Sequence, residues 1–204
     1  MPRPSNTDVR RAEIAQGLLA VMSEVGYERA TITAIAEAAG LASGLVHYHF
    51  ENKQAILVAA VERLTAGLDA RVDRRLARAR GDRPEGRLHA VLDALVARGK
   101  DADPRAVAAW VVVAAEAVRL PEVRDLYRSA LRGILSRLEV EVAFALVARG
   151  RRAGGARRIA AALLAAVEGS YQIAAAAPGL MPAGFAAGVL RRMADGLIAS
   201  EPPV

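Results

Sequence analysis

Cysteine is absent from all 204 residues. That excludes a disulfide framework and a cysteine-ligated zinc or iron–sulfur centre, and it suits a reducing cytosol. Histidine is nearly absent as well. His47 and His49 stand two apart, so on a helix they point apart, and His89 has no acidic partner within view of the sequence. No metal site is expected. There is no glycine-rich phosphate loop, no His-Glu-x-x-His and no Ser, His and acid arrangement, so neither an enzyme nor a resident cofactor is expected. Glu116, Glu139, Glu141 and Glu168 are scattered acids that read as a solvated face or as ion pairs. The longest uncharged run covers 22 residues, Gly169 to Leu190, but Pro178, Pro182 and four glycines interrupt it. It reads as two helices meeting at Ala177-Pro178-Gly179, with no membrane span. Met1 to Asp8 lacks the apolar stretch of a signal peptide, and a cytoplasmic location is the expectation.

What is present is apolar residue at 53%, charge at 25% and a net charge of +6. This is the composition of a globular chain, and its basic surplus hints at a polyanionic partner. The surplus lies in the wrong place, however. Residues 1–53 carry five basic and six acidic side chains, so a nucleic-acid reading must rest on a motif.

Apolar residues recur at helical spacing nearly everywhere, and no stretch alternates with period two. Ile14, Leu18, Val21, Met22 and Val25 form the first stripe, with Thr7 or Asp8 as its cap. Thr31-Ile32-Thr33 opens a short helix stopped by Gly40, and a second short helix fits Ser43–His49. Asn52 caps a long helix with Ile56, Leu57, Ala60, Val61, Leu64 and Leu68 inward. The segment 80–84 reads as a break with Pro84 in the next first turn, and Asp103-Pro104 and Leu120-Pro121 repeat such signals. Residues 122 to about 148 form one long helix, 149–155 a basic linker, and helices near 156–176 and 183–199 close the chain. The fold class is all-α, with about nine helices.

Residues 31–53 carry the functional signal. Two short helices are joined by a tight turn at Gly40-Leu41-Ala42, and small Ala36 and Ala39 let the helices approach. This is the helix-turn-helix plan, whose second helix enters the DNA major groove. Gly26-Tyr27, Thr31-x-x-x-Ile35-Ala36-x-x-Ala39-Gly40-Leu41, Gly44-x-Val46, His49-Phe50 and Lys53 resemble the TetR family of bacterial transcriptional regulators over about residues 8–60. The run Gly44 to Phe50 and the helical remainder are similar to the BetI-like branch. The resemblance implies a three-helix DNA-binding domain over 1–53, linked by a helix from about 53 to a ligand-binding and dimerisation domain over 54–204. It implies a homodimer, through the last two helices, that binds a palindromic DNA operator and is released by a small-molecule effector.

By that resemblance Ser43, Gly44, Leu45, His47, Tyr48 and His49 face the groove or its walls, and Thr31, Thr33 and Lys53 touch phosphates. Hydroxyls and a lysine ammonium suit phosphate, and Leu45 and the Tyr48 ring suit a thymine methyl. Two positions depart from the family pattern. Ala42 replaces a capping serine, which leaves that helix end to Ser43 or to water. His47 replaces a tyrosine, so DNA binding is expected to strengthen as pH falls and the imidazole gains charge. Tyr27, Tyr48 and Phe50 read as a stacking platform or, for Tyr27 and Phe50, as core. The stripe Arg71, Arg74, Arg75 and Arg78 reads as an anion site or as a solvated face neutralised by Asp69 and Asp73.

Beyond residue 100, Trp110, Tyr127, Phe144, Tyr171 and Phe185 are the large rigid side chains in an Ala, Val and Leu background. They read equally as pocket walls and as plugs for gaps that alanine leaves. The resemblance favours a pocket at Trp110, Tyr127, Phe144 and Tyr171, with Glu116 as the charge for a cationic ligand. Ala161, Ala162, Ala165, Ala166 and Gly169, with Phe185, Val189, Arg192, Met193 and Leu197, offer the stripes of a dimeric four-helix bundle. The alternative is a helical ligand carrier or scaffold whose helix-turn-helix only packs.

Overall fold

The apolar stripes become nine α-helices among the described residues of a computed structural model, which describes 5–79, 84–96, 104–182 and 184–204. They are α1 (Asn6–Val25), α2 (Ile32–Ala38), α3 (Ser43–His49), α4 (Lys53–Arg78), α5 (Pro84–Leu95), α6 (Pro104–Arg119), α7 (Pro121–Ala148), α8 (Ala156–Ala176) and α9 (Phe185–Ser200). Among the described residues there is no strand. An isolated bridge pairs Arg151 with Pro203, and a 3-10 turn at Ala153–Gly155 precedes α8. Residues 80–83 and Asp103, part of the expected breaks, lie outside the described residues, and Pro84 and Pro104 open α5 and α6.

The cap of α1 differs from the sequence reading. Ser5 takes the role expected of Thr7 or Asp8: its Oγ accepts from Asp8 N at 3.1 Å. The Asp8 carboxylate, three residues in, reaches back to Ser5 N at 3.3 Å and completes a capping box. Thr31 Oγ1 and Asn52 Oδ1 cap α2 and α4, accepting from Ala34 N at 3.1 Å and Ala55 N at 2.9 Å.

The chain forms two compact units, Met1–Ala66 with Ala108–Arg128, and Gly67–Val107 with Ser129–Val204. It passes from one to the other inside α4, α6 and α7, whereas the sequence placed a boundary at 53, in the first turn of α4. In the first unit Ile14, Leu18, Met22, Ile35, Val46, Ile56 and Leu57 are buried, and Trp110, Val113 and Val123 belong to the same unit. Gly17 lets α1 approach α2: a Cβ there would lie 2.7 Å from Ile35 O, a backbone atom that cannot swing aside.

The second unit is built on Leu88, Leu92, Leu138, Val142, Leu146, Leu163, Leu190 and Ile198. Each such side chain contributes about 1.5–3 kcal/mol on burial. Ala153–Ala176 is long and apolar enough to cross a membrane by length and composition, but its Ile159, Leu163 and Val167 belong to this core. Around the core, charges pair with charges. Arg87 Nε and Nη2 donate to the buried Glu141 carboxylate at 2.9 and 2.6 Å. Arg191 forks onto Asp93, Arg149 meets Asp195 at 3.0 Å, and Arg157 meets Glu139 at 3.0 Å. His89 Nε2 lies 3.2 Å from Asp195 Oδ2, an acidic partner that the sequence did not disclose. The arginine stripe of α4 is divided. Arg74 and Arg78 are exposed, while Arg71 and Arg75 are half-buried, and Arg75 lies 3.8 Å from Asp93. Asp69 and Asp73, expected to neutralise that stripe, hold Arg137 of α7 at 3.3 and 2.8 Å.

Candidate nucleic-acid interface

The turn between α2 and α3 is closed by backbone bonds. Leu41 N donates to Ala36 O at 2.9 Å and Gly40 N to Glu37 O at 3.0 Å, with Gly40 at φ +68°. This is a Schellman ending, in which the left-handed residue is almost always glycine. It aims α3 away from α2, and Val46 anchors α3 in the core. Phe50 and Tyr27 are buried too, so of the three candidate stacking rings only Tyr48, 79% exposed, is offered outward.

On α3 the exposed positions are Gly44, His47 and Tyr48, with Ser43, Leu45 and His49 half-buried beside them. The Tyr48 ring stands edge-on to His49 at 5.0 Å between centroids. No side chain caps the start of α3 at Ala42, so Ser43 does not take over the missing serine's role. The other end of α3 is held by a residue that the sequence gave no reason to single out. Arg11 Nη1 donates to His49 O at 2.5 Å, and the guanidinium lies 4.1 Å over the Phe50 ring. A cation on a terminal carbonyl and on a ring face is favourable twice over.

Thr31 and Thr33 are exposed at the start of α2. Lys53 is placed differently from a free phosphate ligand. Its Nζ donates to Tyr27 O at 2.8 Å and to Glu28 O at 3.0 Å, and lies 4.5 Å over the Tyr27 ring. An ammonium has three donors, and two are committed here. Burial, and then the charge of Glu122, push the Tyr27 hydroxyl above its ordinary value, so it stays neutral.

The five residues of the expected effector pocket belong to both units. Trp110 and Tyr127 meet at 5.0 Å between ring centroids, within the first unit, to which Glu116 also belongs. Phe144 and Tyr171 belong to the second unit. Phe144 is 58% exposed, so it neither plugs the core nor lies within it. It shares an exposed line of α7 with Val140 and Val147, on the face opposite the buried line Leu138, Val142 and Leu146. Tyr171 packs against the core and its hydroxyl donates to Leu95 O; burial, then the charge of Glu168, hold that hydroxyl well above its ordinary value. Glu116 and Glu141 are buried, which corrects the solvated-face reading for both. Glu116 Oε1 accepts from Tyr27 N at 3.0 Å.

Two family patterns match the chain: bacterial regulatory proteins of the tetR family over residues 10–60, and the C-terminal region of BetI-type transcriptional repressors over 84–199. The HTH-type transcriptional regulator BetI of Stenotrophomonas maltophilia is 30% identical over 138 residues, which cover 68% of this chain and 69% of that protein. A transcriptional regulator from Rhodococcus sp. is similar in structure with a TM-score of 0.77 and 26% identity, over 95% of this chain and 98% of that one. A regulator from Saccharomonospora viridis, solved in complex with choline, has a TM-score of 0.69 and 22% identity, over 95% and 97% of the two chains.

Proposed function

The chain belongs to the TetR family, in its BetI-type branch, and from that premise we propose a homodimeric DNA-binding repressor that a small molecule releases from a palindromic operator. The family is one of transcriptional regulators, not of enzymes. One observation carries the DNA reading at the level of residues. Tyr48 and His47 are exposed on a helix fixed at one end by the Schellman turn and at the other by Arg11. A large, exposed ring outside the core, on a rigid helix, fits base readout better than it fits a helix-turn-helix that merely packs. In this reading Ser43, Gly44, Leu45, His47, Tyr48 and His49 approach the groove, Thr31 and Thr33 approach phosphates, and Lys53 offers its third donor to a phosphate.

The tilted Trp110–Tyr127 pair with Glu116 in the same unit suits a cation, and the choline bound by the Saccharomonospora viridis protein makes a quaternary ammonium the first compound to try. Dimerisation draws support from exposed small residues. Ala161, Ala162, Ala165 and Gly169 of α8 and Gly188 and Gly196 of α9 face outward, and a Cβ at any of these glycines would meet nothing. Glycine inside a helix costs about 1 kcal/mol against alanine, so a close-packed second copy gives these glycines a reason.

The test is fluorescence anisotropy on duplexes taken from the DNA upstream of the gene and its neighbours, with and without choline. Wild type should prefer one duplex over random DNA, and Tyr48→Ala should change which duplex it prefers. Equal affinity for all duplexes would count against the reading.

A further inference from the structure

The turn that follows α1 is gripped by side chains from two other helices. α1 ends where Gly26 N donates to Met22 O at 3.0 Å, so the N–H of Tyr27 lies beyond the helix ladder. Its acceptor comes from 89 residues away. Glu116, near the end of α6, places Oε1 3.0 Å from Tyr27 N in a buried contact. The carbonyls of Tyr27 and Glu28 accept from Lys53, the first residue of α4. One peptide segment therefore has its donor held by α6 and its acceptors by α4.

Three features single out the Glu116 contact. Glu116 is 8% exposed, and its Oε2 is sealed and has no hydrogen-bond partner. A carboxylate oxygen buried without a donor is unfavourable, so an apolar residue would suit the packing of α6 better. Gly26 makes room for the contact: a Cβ there would lie 2.9 Å from Glu116 Oε1, and its φ of +80° already disfavours any side chain. The neighbouring Arg119–Glu28 pair, at 3.0 Å, is exposed on both sides and adds little. The cleft around the contact, about 400 Å³, is lined by Glu24, Gly26, Glu28, Arg29, Glu116 and Arg119.

We propose that Glu116 is a positioning residue for DNA reading, which ties the place of α6 to that of the Gly26–Arg29 turn and, through it, to α1 and Lys53. A displacement of α6 then frees the turn without any ligand touching the helix-turn-helix. The proposal rests on the regulator reading above, and its test separates the two. Hydrogen exchange at the Tyr27 amide is measured on the full chain without DNA, and operator affinity is measured beside it. Glu116→Met keeps the side-chain volume and removes the acceptor; Glu116→Gln keeps an acceptor oxygen. In Glu116→Met the Tyr27 amide should exchange roughly 10- to 100-fold faster, the loss expected for a hydrogen bond to a charged group. Exchange in α8 and α9 should stay unchanged, and operator affinity should fall several-fold. Glu116→Gln should restore both readouts. If the Met variant does not fold, Glu116→Asp, too short to reach Tyr27 N, replaces it. Unchanged Tyr27 exchange overturns the grip. Faster exchange with unchanged operator affinity overturns the coupling. A wild type that binds no DNA sinks the regulator reading and with it the coupling, while the exchange arm still decides the grip.

Discussion

The two units use charge in different ways. In the second unit, long-range charged contacts mostly join side chain to side chain: Arg87 with Glu141, Arg191 with Asp93, Arg149 with Asp195 and Arg137 with Asp69 and Asp73. In the first unit, they mostly join a side chain to the backbone. Lys53 holds two carbonyls, Arg11 holds the last carbonyl of α3, and Glu116 holds the Tyr27 amide. A pair of side chains locks one helix face to another and leaves the chain path to the core. A side chain on a backbone group fixes the path of a turn, which is what a unit that must present α3 at a set angle requires.

The largest effect should come from the face that the second unit leaves uncharged. Ala165→Glu puts a carboxylate among Ala161, Ala162 and Gly169, and sedimentation should find a monomer with a helical circular dichroism spectrum close to that of wild type. A variant still dimeric would move the interface elsewhere. Next in size is Arg87→Ala. Glu141 is buried, and removal of its partner strands a charge, so urea unfolding should show a loss of about 3 kcal/mol. A loss below about 1 kcal/mol would mean that the second unit does not depend on its charge pairs. Lys53→Ala probes the other habit. It frees two turn carbonyls and removes the phosphate contact proposed for Lys53, so affinity should fall roughly tenfold for all duplexes alike, and the salt slope should drop by about one.

Much of the fold was legible because helical spacing reports which face is buried. The inner lines Ile14, Leu18, Met22 and Leu138, Val142, Leu146 all emerged as core. Thr31 and Asn52 announced their caps, since the residue that caps lies next to the helix it caps. Phe144 read from its aromatic character as a pocket wall or a core plug; it does not plug the core, and its spacing from Val140 and Val147 already placed it off the inner line. Glu116 and Glu141 stand at inward positions, and their charge concealed this. The grips of Arg11, Lys53 and Glu116 had no signature at all. Their partners are carbonyls and an amide, which every residue owns, so no residue type at the far end can flag the contact.

The smallest effect should come from an exposed long-range ion pair in the first unit. Arg119 Nη2 meets Glu28 Oε2 at 3.0 Å, with the two side chains 62% and 56% exposed. Water already solvates both groups well, and holding two long side chains in one geometry costs entropy, so such pairs contribute about 0.2–1 kcal/mol at most. Arg119 nonetheless sits three residues beyond Glu116 and touches the same turn, so it separates proximity from grip. Arg119→Ala should leave Tyr27 amide exchange within about twofold of wild type and shift stability by less than about 0.5 kcal/mol. If it instead loosened Tyr27 as much as Glu116→Met does, the exposed pair would be sharing the work, and the distinction drawn between backbone grips and side-chain pairs in the first unit would fail.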